Sequence, residues 1–458
     1  MQDRVTLNSK EINKDLLKGV LNNPMWFWSI AGLLALVVLA AVVAYGVMVN
    51  RGMGVTGLNR PVMWALDLTN FVFWAGVSLA GVMISAILRM TYAEWRRPIT
   101  RVAESLTLFA LISSALMVGI VHVGRPWRAF YWLMPYDFSR GLFTNIRSPA
   151  LWDMSAITTY LIGSSLFVFV ALIPDLAVLR DRTKGPMKTV YSFLSLGFRG
   201  NPRQWKLQAV AGILLSALIL PVFVSVHSVV SWDFATQVSV PAWHSTIFAP
   251  YFVLGAIHSG GAAVLTLMAL MRWLWGWDKY IRKDHFDAVG KVLIVVATAW
   301  FFCFALEFLF AFYSQESPEL EFRNMQLFEW PWALLFYGFL LTAYFIPVPL
   351  WLFSKVRRNI ALMFFTSILV NIGMWLERFM IIVPGLSRKQ PFTFDWSTYH
   401  PSVIEILIVV GTFALVALGL LLFSKVFPLI PLYDIKEGQV LADEVKIGRK
   451  KVPAVIKE

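Results

Sequence analysis

Apolar residues run along this chain in ten long stretches, each about as long as the roughly 20 residues that a helix needs to cross a bilayer. They lie at about 26–49, 63–90, 101–123, 150–173, 207–230, 246–273, 287–313, 330–353, 358–385 and 402–426, and are numbered here as spans 1 to 10. Within them polar and apolar positions do not alternate, as the strands of a membrane barrel require. The pattern therefore predicts an all-α integral membrane protein of ten transmembrane helices. Little lies outside them: an N-terminal segment 1–25, a membrane domain 26–430 and a polar surface tail 431–458. The longest connections, 124–149 and 174–206, are too short for a further domain.

The polar positions between spans are unevenly charged. The N-terminal segment, the 2–3, 4–5, 6–7 and 8–9 loops and the tail carry 29 Lys and Arg, against 9 in the loops of the other face. Such an excess marks the cytoplasmic side, so both termini are expected in the cytoplasm. Trp26, Trp132, Trp232 and Trp332, all near span ends, fit an aromatic belt. Laying span 2 on span 6 with an offset of 179 sets Gly76-Val-Ser-Leu79-Ala-Gly81 on Gly255-Ala-Ile-His258-Ser-Gly260. Both spans enter from the same face, so the echo predicts two parallel four-helix repeats, about 63–230 and 246–385, flanked by spans 1 and 10.

Composition agrees with a membrane protein, since 58% of the 458 residues are hydrophobic and only 15% charged, against about 25% in soluble proteins. The net charge of +13 would point to nucleic acid in a soluble protein. Here the cations sit in alternate loops instead of forming a recognition stripe, so no nucleic-acid partner is expected and lipid is. A single cysteine, Cys303, excludes an intramolecular disulfide and cannot alone hold an iron–sulfur cluster, a c-type haem or zinc. No metal site is expected in this chain, and a redox centre has to come from a partner.

A charged side chain at bilayer depth costs about 2.5–3.5 kcal/mol on insertion scales, so each is a functional candidate whose partner must be found. The orientation places Asp67, His122, Asp153, His227, His244, Glu307, Glu377 and Arg378 in the outer part of the membrane. His122 precedes Arg125 by three residues at the end of span 3, Asp153 follows Arg147, and Asp233 follows His227. A deeper set, with His258 near the midplane and Glu104 and Asp287 entering from the cytoplasmic face, reads with Glu307, Glu377 and Arg378 as a proton path or as a packed polar network.

Plain structural readings stand beside these. His122 ends a helix, where an imidazole meets exposed carbonyls. Asp153 follows Ser148-Pro149 and can serve the first turn of span 4. Glu377 and Arg378 point to different faces and read as separate interhelical ion pairs, while His227 and His244 read as wet interfacial residues. Convergence of the outer set is what raises its interest. Histidine and carboxylates in an apolar, outer-facing pocket suit quinol oxidation, because the head group needs hydrogen bonds to both oxygens and bases for its two protons.

The strings Asn70-Phe-Val-Phe-Trp-Ala-Gly, His122-Val-Gly-Arg-Pro-Trp, Arg147-Ser-Pro-Ala-Leu-Trp-Asp153, His227-Ser-Val-Val-Ser-Trp-Asp233 and Asn371-Ile-Gly-Met-Trp-Leu-Glu-Arg378 resemble the NrfD/PsrC family of quinone-interacting membrane subunits. The resemblance covers most of residues 60–430 and is strongest to the ActC subunit of alternative complex III, a quinol:electron acceptor oxidoreductase. It implies two four-helix bundles and a menaquinol or ubiquinol pocket near the outer face of a prokaryotic inner membrane. It further implies an iron–sulfur partner whose [3Fe–4S] cluster takes the electrons, multihaem cytochrome c subunits and a homologous second NrfD-like subunit. Carried onto this chain, the pocket includes His122 and Asp153 as catalytic groups, with Asp67, Arg125, His227 and Asp233 around the substrate. One departure matters: Leu79 stands where family members commonly have histidine, whereas His258 keeps the equivalent place in the second bundle. Two rival readings are a quinone-reducing anchor of a molybdenum enzyme such as polysulfide reductase, and a secondary transporter. The transporter would show paired Gly- or Pro-broken helices, which the spans lack.

Overall fold

The computed structural model describes residues 9–22, 24–118, 127, 149–236, 240–388, 398–442, 444–447 and 450–453. Ten helices are long and apolar enough to cross a membrane: Met25–Arg51, Leu66–Met90, Thr100–Val118, Pro149–Arg182, Pro202–Ala235, Phe248–Trp275, Lys283–Ser314, Trp332–Leu352, Ile360–Ser387 and Val403–Val426. They correspond in order to spans 1 to 10. Spans 4 and 5 have 34 residues each and reach about 51 Å, so they outrun a hydrocarbon core of about 30 Å. Hydropathy had cut them short at the polar ends that lie beyond the bilayer.

Span 2 is the axis of the molecule. The apolar stretch of span 2 is 89% buried, against 11% for span 1, which lies on the periphery against span 10. Spans 3, 5 and 6 pack around span 2, and small residues let them come close. A Cβ on Gly260 would stand 2.4 Å from the Ala80 Cβ and 2.7 Å from the Val77 carbonyl oxygen. On the other side of span 2, a Cβ on Gly81 would stand 2.0 Å from the Ala103 carbonyl oxygen. The two glycine strings that echo each other in sequence thus pack on one another in space. Asn70 Nδ2 and Trp74 Nε1 both donate to Thr412 Oγ1, at 2.8 and 2.9 Å, tying span 2 to span 10.

Span 8 departs from the continuous helix expected of it. Its helix Trp332–Leu340 passes into a π-type turn, Leu341–Phe345, and resumes as Pro347–Leu352. Proline has no N–H, so Pro347 leaves the Ala343 carbonyl without its helical donor. His258 Nε2, at 3.0 Å, reaches that oxygen from span 6. The imidazole must therefore carry its proton on Nε2. Gly373 of span 9 makes room for the bend, since a Cβ there would lie 2.5 Å from the Ala343 nitrogen. The same device recurs twice. Pro174 frees the Val170 carbonyl, which accepts from Gln208 Nε2 at 2.5 Å, and Pro384 frees the Met380 carbonyl, which accepts from Gln326 Nε2 at 3.3 Å.

Both ends of the chain fold onto one face, called here the tail face. The helix Ser9–Leu21 buries Ile12, Leu16 and Leu17 and is tied to span 10 by Lys425 Nζ, which donates to the Gly19 carbonyl at 3.0 Å. The segment after Pro431 is more than a polar tail. Its helix Leu432–Ala442 buries Leu432 and Ile435, stacks Tyr433 on Trp205 at 3.9 Å, and pairs Asp434 with Arg96 at 3.1 Å. Beyond it a short hairpin, Glu444–Ile447 with Lys450–Pro453, is the one β element among the described residues.

Two outcomes are expected. Leaving a buried carbonyl without a donor costs about 1–3 kcal/mol, so His258→Leu should lower the melting temperature of the detergent-solubilised protein. Adding Pro347→Ala, which restores the backbone donor, should recover most of the loss. Burial is the largest influence on the Asp434 carboxyl and pulls it upward, but Arg96, Arg89, Arg97 and Arg101 outweigh it and hold the group below the usual aspartate range. A depressed carboxyl stabilises fully above its unfolded value, about 4, and less as pH falls through the folded one. Hydrogen-exchange protection of 432–442 should therefore persist down to about pH 4 and decline below it, with a smaller acid step in Asp434→Asn.

Candidate functional site

At the face opposite the tails, the distal face, the ends of spans 2, 4 and 5 bring three carboxyl groups into the first helical bundle. Asp153, on the fifth residue of span 4, is 3% exposed. Asp233, on the last turn of span 5, is its neighbour, within electrostatic range. Asp67, in the first turn of span 2, is buried, and neither of its oxygens has a hydrogen-bond partner among the described residues. Glu405 lies within Coulombic range of it. His122, Arg125 and Arg147 lie outside the described residues.

Glu405 was missed in the sequence. It accepts from the Tyr399 hydroxyl at 2.8 Å, from the Gly57 nitrogen at 2.7 Å and from the Ser402 nitrogen at 2.9 Å, clamping two distal loops to the start of span 10. The Ser402-x-x-Glu405 capping box was the available signal.

His227 corrects an expectation. It is fully buried, two turns before the end of span 5, because the helix runs on to Ala235. Neither ring nitrogen has a hydrogen-bond partner among the described residues. Its ring lies 6.1 Å from Phe252, over which the Arg378 guanidinium sits at 4.4 Å. His244, by contrast, is exposed beyond the turn Pro241–Trp243.

The second bundle holds a separate polar group at the same face. Glu307 of span 7 meets Arg323 at 3.5 Å and accepts from the Ser245 hydroxyl. Arg323 comes from the short helix Ser317–Phe328 and also meets Glu319, at 3.6 Å. Glu377 and Arg378 pair with each other at 3.2 Å, and this replaces the separate interhelical pairs expected. Both long side chains bend into the buried side of span 9. A cavity of about 30 Å³ joins these residues, with Tyr251, Glu307, Arg323, Gln326 and Glu377 supplying its polar lining. The outer set therefore divides in two: Asp67, Asp153 and Asp233 in the first bundle, and Glu307 and Glu377 with their arginines in the second.

The deeper set divides as well. Glu104 accepts from Ser85 at 2.5 Å and lies 3.6 Å from Arg101, which meets Asp175 at 3.2 Å. A cavity of about 240 Å³ opens there toward the tail face, bounded by Arg89, Arg96, Arg97 and Arg101 and bordered by Tyr433, Asp434 and Glu437. Asp287 has partners of its own, Arg357 and Lys291, each at 2.7 Å. His258 is engaged by the Ala343 carbonyl. Among the described residues, no three His, Cys, Asp or Glu side chains gather as a metal ion would require.

The sequence is similar to those of known proteins. A membrane subunit ascribed to dimethyl sulfoxide reductase in Halobacterium salinarum is 24% identical over 431 residues, covering 87% of this chain and 90% of that protein. A selenate reductase subunit of Mesobacillus selenatarsenatis is 21% identical over 422 residues, with 88% and 93% covered. The Hdr-like menaquinol oxidoreductase integral membrane subunit of Archaeoglobus fulgidus is 22% identical over 423 residues, with 88% and 94% covered. The family described as polysulphide reductase, NrfD, matches residues 54–388, well over half of the sequence, and the chain belongs to that family.

Proposed function

We propose that this chain is the quinol-oxidising membrane subunit of an electron-transfer complex of the alternative complex III kind, working near the distal face of the first bundle. The observation that carries the reading is the neighbouring pair of buried Asp153 and half-buried Asp233. Two neighbouring carboxyl groups at the mouth of a bundle are suited to accepting protons and handing them on. The names of the relatives support the substrate class, since one is a menaquinol oxidoreductase subunit and two belong to respiratory-type reductases.

In this reading the quinol head enters from the lipid between the span ends. His122 accepts the hydrogen bond, and then the proton, of one quinol hydroxyl, with Arg125 beside it. Asp153 takes the second proton, passing it to Asp233 and outward. Two electrons leave with the two protons, converting quinol to quinone, and pass to the iron–sulfur cluster of a partner subunit. Asp67 and His227 border the head group, and apolar burial among Phe and Trp side chains supplies most of the binding energy. The distal face is the outer one by the loop charges, so the protons leave outside a prokaryotic inner membrane. Glu104, His258, Asp287, Glu307, Glu377 and Arg378 serve packing in this reading, each through the partner described above.

A second reading keeps the site and reverses the flow, making the chain a quinone-reducing anchor; the polysulphide reductase description of the family favours it. Co-purified proteins separate the two, haem proteins supporting the first and a molybdopterin protein the second.

In the assembled complex, His122→Ala and Asp153→Asn should lower quinol-dependent turnover by about 10²–10⁴-fold, the contribution of a general base, while every subunit stays in place. Asp233→Asn should lower it less and shift the pH profile. Glu319→Gln, in the second bundle, should leave turnover near the parent level. Full activity in His122→Ala would remove the assignment.

A further inference from the structure

The connection between spans 4 and 5 holds a helix, Pro186–Leu194, that the proposed quinol chemistry does not use. Its depth is fixed by one contact. Tyr191 is 1% exposed, and its hydroxyl donates to the carbonyl of Val426, the last residue of span 10, at 2.8 Å. The helix therefore lies at the level where a span leaves the bilayer. The turn after it is pinned to span 4 by Arg180, whose Nη1 donates to the Phe198 carbonyl at 3.0 Å.

Away from Tyr191, the helix and its turn expose Met187, Val190, Phe193 and Leu196 at three-residue spacing. Phe193 is 78% exposed and Leu196 65%. Leu196 also has φ 47°, a left-handed conformation that a leucine adopts only when its surroundings hold it there. Lys184, Lys188, Arg199 and Arg203 flank this stripe, all exposed and without ion pairs among the described residues. The nearby acid, Asp181, is already taken by Arg180 at 2.8 Å. An amphipathic helix at interfacial depth, with an open apolar face and uncompensated cations on its flanks, matches the surface of an anionic leaflet in both charge and polarity.

We propose that Pro186–Leu194 and the turn to Arg199 form an in-plane anchor that binds anionic phospholipid in the leaflet at the tail face. Met187, Val190, Phe193 and Leu196 enter the boundary between head groups and acyl chains, and Lys184, Lys188, Arg199 and Arg203 gather the phosphates.

The test uses the intact complex in nanodiscs of phosphatidylcholine, with and without phosphatidylglycerol. A spin label on Phe193→Cys should be reached by oxygen and shielded from a water-soluble nickel chelate. In native mass spectra the parent should retain phosphatidylglycerol over phosphatidylcholine. Replacing Lys184, Lys188, Arg199 and Arg203 by glutamine, singly and then together, should lower that preference by about fivefold per charge. A label open to nickel in both nanodiscs places the helix in water and overturns the proposal. So does a label shielded from both reagents with lipid retention unchanged by the four replacements, because a protein partner then covers the face.

Discussion

A backbone carbonyl freed inside a bilayer has no water to turn to, and this constraint organises much of the packing. Prolines at 174, 347 and 384 each remove a helical donor, and each of the three freed carbonyls is met by a side chain from another helix. Gln208 joins span 5 to span 4, His258 joins span 6 to span 8, and Gln326 joins the short distal helix to span 9. These bonds choose neighbours as well as satisfying oxygens, because a helix that slipped or turned would strand the carbonyl. They also give a physical account of the histidine difference between the bundles. Span 8 is broken and offers a carbonyl that His258 meets, whereas span 4 runs unbroken through its own proline, so Leu79 has no such partner to serve.

Charge follows the same logic with a different result in each region. Arg101 lies between Glu104 and Asp175, Arg323 between Glu307 and Glu319, Arg357 beside Asp287, and Arg378 beside Glu377. Each of these carboxylates has a cation in reach, as a charge must when it leaves water. Asp153 and Asp233 are neighbours at the distal end of the first bundle.

Apolar run length made the ten spans legible in the sequence, and family strings made Asp153 and Asp233 legible as neighbours. Partner identity was less so. Arg323 lies in an outer loop, and nothing in its local sequence tells that the loop folds back to Glu307. Adjacent Glu377 and Arg378 sit on different faces of an ideal helix, yet both side chains are long enough to bend toward one buried side. His227 was assigned to the interface because hydropathy falls after it, although the helix continues for eight more residues. The break in span 8 was hidden by its composition, since Leu341 to Leu352 is apolar apart from Thr342 and the Tyr344 hydroxyl, while Pro347 and Pro349 alter the hydrogen bonding.

The arginine-lined cavity of the first bundle is bordered by Tyr433, Asp434 and Glu437, which belong to a helix made after all ten spans. A ribosome finishing this chain has already delivered Arg96, Arg97 and Arg101 to the membrane several hundred residues before that helix emerges. Throughout that interval the guanidinium groups wait without the carboxylates of Asp434 and Glu437 that meet Arg96 and Arg97 in the finished fold.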